Sequence, residues 1–233
     1  MNTGDIALDG AGQEDDIAFA RQCHEAFDLP VRAVPGNHDV GDNPWGAGIE
    51  QPITDERRSR YHRFFGDDFW LVDAGPWVLV GVNAQLFGSG LVGEHDQWKF
   101  LQTVPARAAG RALALFVHKP LFDRDPDEDQ VNQRYVLPEH RHRLLGILGR
   151  GRLRLVASGH VHQHRRHRVD EVEHCWAPST AYVLPERRQP TVGVKRVGYV
   201  EYALHPAGVD VTVAEPPELA QHDLDDFPLA YGH

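Results

Sequence analysis

Apolar and polar positions along this chain fall into short, well-separated blocks. Residues 13–28 (QEDDIAFARQCHEAFD) carry Ile17, Ala20, Cys23 and Phe27 near helical spacing, which predicts an amphipathic helix stopped by Pro30. Val31–Val34 is an apolar run closed by Pro35-Gly36 and reads as a short strand, and Tyr61–Phe65 reads as a short helix. Strands are predicted at Phe69–Asp73 and Trp77–Asn83 across the Gly75-Pro76 turn, then at Ala112–Val117 and Leu153–Ala157. Helices are predicted at Glu94–Val104 and from Pro138 to Leu148, with an acidic loop over 121–136. Further on, Val169–Trp176, Val197–Leu204 and Val209–Val213 alternate as strands, and the acidic tail from Glu215 is expected to pack loosely. Strands that first alternate with helices and then give way to hairpins predict an α/β layered sheet protein. We read residues 1–214 as one domain and 215–233 as its tail.

Composition narrows the function more than the fold. The 233 residues are 41% hydrophobic and 25% charged, enough for one proper core. No apolar run reaches the roughly 18–20 residues of a membrane span, so the expectation is a cytoplasmic protein without such a span. A net charge of −10 argues against a nucleic-acid partner, because phosphate contacts need clustered cations. Cys23 and Cys175 form neither a disulfide framework nor a metal-type pair. Among 24 basic residues only Lys99, Lys119 and Lys195 are lysines, the bias of a GC-rich, bacterial coding sequence. The unusual count is histidine, at 15.

Several histidines stand where an apolar strand stops and a glycine or proline turn begins. Gly4-Asp5 opens the chain. Val31–Val34 delivers Gly36-Asn37-His38-Asp39, Ala112–Val117 delivers His118, and Leu153–Ala157 delivers Gly159-His160-Val161-His162. Ligands gather at the carboxyl ends of strands in open α/β sheets, so these segments are expected to converge on one cleft. Each alone has a bland reading as a cap, a turn or a satisfied histidine. Four in this setting favour a metal site. His160 and His162, two positions apart, would leave the same face of an extended segment. His24, His62, His140 and His142 read as solvated, and His164 as a rim residue in a basic run. Trp45, in the loop after Asp39, is a candidate for stacking on a substrate base, and His164 for meeting its phosphate.

This ordered set resembles the calcineurin-like binuclear metallophosphoesterases, and within them the bacterial cyclic-nucleotide-phosphodiesterase-like branch. The resemblance implies a four-layer αββα sandwich of mixed sheets. It also implies roles: Asp5 bridging two cations, Asn37, His118 and His160 completing the second site, and His162 binding the first. His38 would stand beside the phosphorus as proton donor, with Asp39 orienting its ring. The implied cofactors are two divalent or mixed-valence ions of Mn, Fe, Zn or Co, which generate a hydroxide and clamp an in-line displacement. The implied reaction is hydrolysis of a small phosphoester, mono- or diester, cyclic nucleotides included. An oligomer is compatible with all of this.

The family opens with an Asp-x-His strand that supplies two ligands to the first metal, and these residues have no counterpart here. Only Asp5 and His162 remain for that site, so it is expected to bind weakly. Met1 stands where a strand valine is expected, so we read the chain as begun late, on a GTG codon, with its first strand missing. Two other readings stay open: a non-catalytic or single-metal binding protein on the same fold, and a histidine cluster for metal storage.

Overall fold

The computed structural model describes residues 1–46, 49–149 and 152–227. Its strands in chain order begin with β1 (Trp70–Ala74), β2 (Trp77–Val82), β3 (Ala112–Val117) and β4 (Leu153–Ser158). They continue with β5 (Gln163–Val169), β6 (Val172–Trp176), β7 (Tyr182–Val183) and β8 (Val194–Lys195). All but β7 join one seven-stranded sheet in the order β1-β2-β3-β4-β6-β5-β8. The four inner strands β2, β3, β4 and β6 run parallel, and the margins pair antiparallel. The wholly apolar runs of β2 and β3 have no polar face to offer water, so they sit where both sides are covered.

Helices α1 (Glu14–Glu25), α2 (Asn37–Val40), α3 (Asp55–Phe65), α4 (Val92–Ala108) and α5 (Pro138–Leu148) complete the main elements. Trp98, Leu101 and Val104 of α4, with Leu144 and Leu148 of α5, pack on one sheet face against Val78, Val80, Leu113 and Leu115. The opposite face presents Leu79, Ala114, Phe116 and Leu155. It is met by Val200, Tyr202 and Leu204 from a hairpin of β9 (Tyr199–His205) and β10 (Gly208–Ala214). A third cluster around Ile17, Tyr61 and Leu86 lies between α1 and α3. The outcome is the expected mixed α/β protein with a β-rich second half.

The structure departs from the sequence reading at several points. Val31–Val34 forms only an isolated parallel bridge, Ala33 to Asn2, and not a strand. Val169–Trp176 is not one strand: the chain reverses at Asp170, in the left-handed region at φ 52°, between β5 and β6. Helix α4 runs past Pro105, which has no N–H to give the Leu101 carbonyl, and ends at left-handed Ala109. His140 is half-buried, stacked on Phe87 at 5.8 Å, and not solvated. The tail also docks. Strand β11 (His222–Asp223) pairs with β7, Leu224 is buried, and Asp225 meets Arg187. No helix of the described residues is long and apolar enough to cross a membrane.

Candidate metal centre

Because β2, β3, β4 and β6 are parallel, their carboxyl ends share one end of the sheet. Val117 pairs with Ser158, and Ser158 with Trp176. His118 therefore emerges just past β3, and His160 two residues past β4 alongside it. Asp5 and Asn37 reach the same place from the short parallel pair that Asn2 makes with residues 32–34. Among the described residues, Asp5, His118 and His160 form the one group of three such side chains whose donor atoms lie within 4.8 Å of each other.

His118 Nε2 is the centre of this group. It lies 3.2 Å from Asp5 Oδ2, 3.2 Å from Asn37 Oδ1 and 3.0 Å from His160 Nδ1. Its other nitrogen, Nδ1, meets the Thr3 carbonyl at 2.8 Å. A carbonyl only accepts, so Nδ1 carries a proton, and in the neutral ring Nε2 presents a lone pair. That lone pair faces the lone pairs of Asp5 and Asn37. Such a set of acceptors around a buried ring demands a cation, either a proton or a metal ion, and its oxygen and imidazole donors suit a divalent transition metal. The Thr3 carbonyl is the orienting partner that metal-binding histidines characteristically have.

The electrostatics agree. Burial works to raise the Asp5 carboxyl, but the charges of His118 and His38 hold it well below the usual carboxylate range. Burial likewise works to lower His118, and Asp5 more than reverses it. His160 is held neutral by burial and by its neighbour His118.

Backbone strain concentrates here. Asp5 (φ 52°), His160 (φ 65°) and His162 (φ 51°) all adopt the left-handed conformation that non-glycine residues avoid. The segment carrying His160 and His162 is therefore curled and not extended, although both residues line one cleft. The chain curls, His160 joins the cluster, and His162 turns toward Tyr182, whose carbonyl lies 3.4 Å from its Nδ1. Two glycines permit the close approach: a Cβ on Gly4 would stand 2.6 Å from His118 Nδ1, and one on Gly36 2.7 Å from His118 Cε1.

The remaining candidates fall as follows. His38 donates its backbone N–H to Asp5 Oδ1 at 3.0 Å, and its ring Nδ1 meets the Leu8 carbonyl at 2.7 Å. The contact expected from Asp39 is thus made by a carbonyl. Asp39 is wholly buried and turned to backbone: Oδ1 accepts from Ile6 and Ala7, and Oδ2 from Gly36. It staples the Asp5 segment to the Asn37 turn, and burial, then the charge of Asp5, raise its carboxyl to about 6. Trp45 donates its indole N–H to Asp42, and His164 sits against the Trp176 carbonyl. Neither lines the cleft of about 580 Å³ beside the donors, which runs from residues 1–8 past His162 to β9.

Residues 1–164 match the profile of the calcineurin-like phosphoesterases. The chain belongs to that family. Among curated members, it is 31% identical over 144 residues to the serine/threonine-protein phosphatase CPPED1 of Danio rerio, covering 58% of this chain and 42% of that one. It is 23% identical over 163 residues to a probable glycerophosphodiester phosphodiesterase, GpdQ, of Arcobacter nitrofigilis, covering 69% and 55%. The chain thus spans about half the length, or less, of these relatives. In fold it is similar to GAP50, the anchor in the inner membrane complex of Plasmodium (TM-score 0.59, 13% identity, 91% of this chain and 72% of that one). It is also similar to a dimetal phosphatase from Danio rerio (TM-score 0.55, 12% identity, 88% and 77%). Within this calcineurin-like phosphoesterase the sequence reading overlooked one network, in which buried Asp68 is shared by Arg58, His62 and Asn83. The pairing of Arg58 and His62 at helical spacing was its only trace.

Proposed function

We propose that this chain hydrolyses small phosphoesters at a metal centre held by Asp5, Asn37, His118 and His160. The observation that carries the reading is the knot of acceptors around buried His118 Nε2, with Nδ1 tied to Thr3. When bound, a divalent metal supplies Lewis acidity and lowers the pKa of water to the neutral range. The protein's own residues do the rest. Asp5, whose carboxyl His118 and His38 hold below the usual range against its burial, offers one oxygen to the cluster while the other accepts the His38 N–H. His38 carries a proton on Nδ1 toward Leu8, which fixes its ring so that Nε2 can hold a proton for a leaving oxygen. Asp39 keeps the two donor-bearing segments in register. His162 and Asp5 are the donors for a second, weaker ion. Diesters, cyclic nucleotides among them, are the substrate class we favour, in accord with the name of the GpdQ relative.

The rival reading is a one-metal binding protein without turnover, and the separation of His162 from the cluster of three favours it. One experiment separates the two. The chelator-stripped chain is supplied with Mn, Fe, Zn or Co, and metal uptake and hydrolysis of bis-p-nitrophenyl phosphate and of the monoester are measured. Hydrolysis that falls on the order of 100-fold in His38→Ala, with metal uptake unchanged, supports the enzyme. Uptake of one ion with no turnover of either ester under any metal establishes the binding protein instead.

A further inference from the structure

Lys119 follows His118 at the end of β3 and is wholly buried. Its ammonium lies 2.6 Å from Asp42 Oδ1 and 2.6 Å from Asn43 Oδ1. Withdrawing an ammonium from water costs several kcal/mol unless it is paired and hydrogen-bonded. For packing alone, an apolar residue of similar volume would serve as well or better. The charge matters for what it gathers.

It gathers a continuous network. Asp42 Oδ2 accepts the indole N–H of Trp45 at 2.9 Å, and Asn43 Nδ2 donates to the Phe87 carbonyl at 3.2 Å. Gln85 is also wholly buried. In the amide orientation that satisfies both its ends, its nitrogen donates to Asp42 Oδ1 at 2.9 Å and to Asn43 Oδ1 at 3.3 Å. Its oxygen then accepts the backbone N–H of Asn37 at 3.3 Å. Lys119 thus touches the candidate site from two directions. Its backbone continues from His118, and its side chain reaches, through Asp42, Asn43 and Gln85, the residue whose Oδ1 faces His118 Nε2. These two donors lie 81 positions apart in the chain, and the network spans the gap between their segments.

We propose that Lys119 is a positioning residue of the metal centre. Its buried ammonium ties the Asp42–Trp45 loop and Gln85 beneath Asn37, and so sets the Asn37 donor against His118. The proposal rests on the reading of Asp5, Asn37, His118 and His160 as metal donors.

Coulomb's law makes the test discriminating. Removing a cation from beside a cation site strengthens metal binding through charge alone, so weaker binding reports lost positioning. The chelator-stripped full chain is titrated with Mn²⁺, free ion being read by electron paramagnetic resonance, for wild type and Lys119→Met. Amide hydrogen exchange is followed in the metal-free proteins. The expected result is binding weakened by about 10–100-fold, the range typical of orienting partners. Exchange across residues 36–43 should rise while that of β2 and β3 stays as in wild type. Binding in Lys119→Met that is unchanged within about threefold, or stronger, overturns the proposal. So does weaker binding with unchanged exchange over 36–43. Should Lys119→Met not fold, Asp42→Asn, which keeps the shape and removes the counter-charge, decides by its exchange over 36–43. Faster exchange there supports the network and unchanged exchange overturns it. A wild-type chain that takes up no Mn²⁺ overturns the metal reading itself, a failure distinct from that of the variant.

Discussion

Acidification from about pH 7.5 to about pH 5 should cost this fold about 2 kcal/mol through one side chain, His174. His174 lies on β6, buried to 4% exposure, with its ring stacked on His167 of β5 at 5.2 Å and against Phe122 at 4.7 Å. Burial, and then the proximity of His167, lower its pKa from 6.5 to about 3. The folded protein therefore keeps this ring neutral far below the pH at which the unfolded chain protonates it. The resulting stability is intact above about 6.5, erodes below it, and is gone once the pH falls through about 3. At about pH 5 the loss is roughly 1.5 pH units times ~1.4 kcal/mol, or about 2 kcal/mol. For a chain of this size that is a fall of about 4–8 °C in Tm. The assay is urea unfolding at both pH values for wild type and His174→Leu, which removes the titrating group and keeps an apolar filling. The wild type should lose about 2 kcal/mol more than the variant between the two conditions. Equal losses, within ~0.5 kcal/mol, would refute the reasoning, because the slope would then belong to other groups.

Two further outcomes follow from packing. Gly36→Ala keeps an allowed backbone, φ −98°, yet its methyl would meet the Asp5 carboxylate and His118 Cε1. It should cost about 1–3 kcal/mol of stability and weaken Mn²⁺ uptake by at least about tenfold, read by the same titration. Leu224→Ala empties a site that is 1% exposed beneath the docked tail, so urea unfolding should show a loss of about 2–5 kcal/mol. Limited proteolysis should then cut in residues 215–221, and a tail that stays resistant would show that Leu224 does not pin it.

Much of the site was legible because its residues sit at the ends of apolar strands. Trp77–Val82 and Ala112–Val117 announce themselves by unbroken hydrophobicity and Leu153–Ser158 by a mainly apolar run, and whatever follows such strands lies at one end of a parallel sheet. His118 and His160 stand out in that way, the family resemblance adds Asp5 and Asn37, and the four side chains come together. The curl of the backbone at His160 and His162 was not legible, since left-handed φ at a histidine leaves no mark in composition. The role of Asp39 was missed for a related reason. A carboxylate three residues into a turn is as ready to accept backbone N–H groups as a ring, and only the arrival of Ile6 and Ala7 decides which.

Local chemistry by itself thus determined most of the order of elements and the mixed α/β class, because hydrophobic periodicity and turn residues act over a few positions. The tertiary structure alone decided what the donors face. That Thr3 holds His118 Nδ1, that Lys119 reaches Asn37 through Gln85, and that Leu224 pins the tail are contacts between distant segments. Such contacts depend on how layers pack and where buried polar groups find partners, and no run of adjacent residues records that.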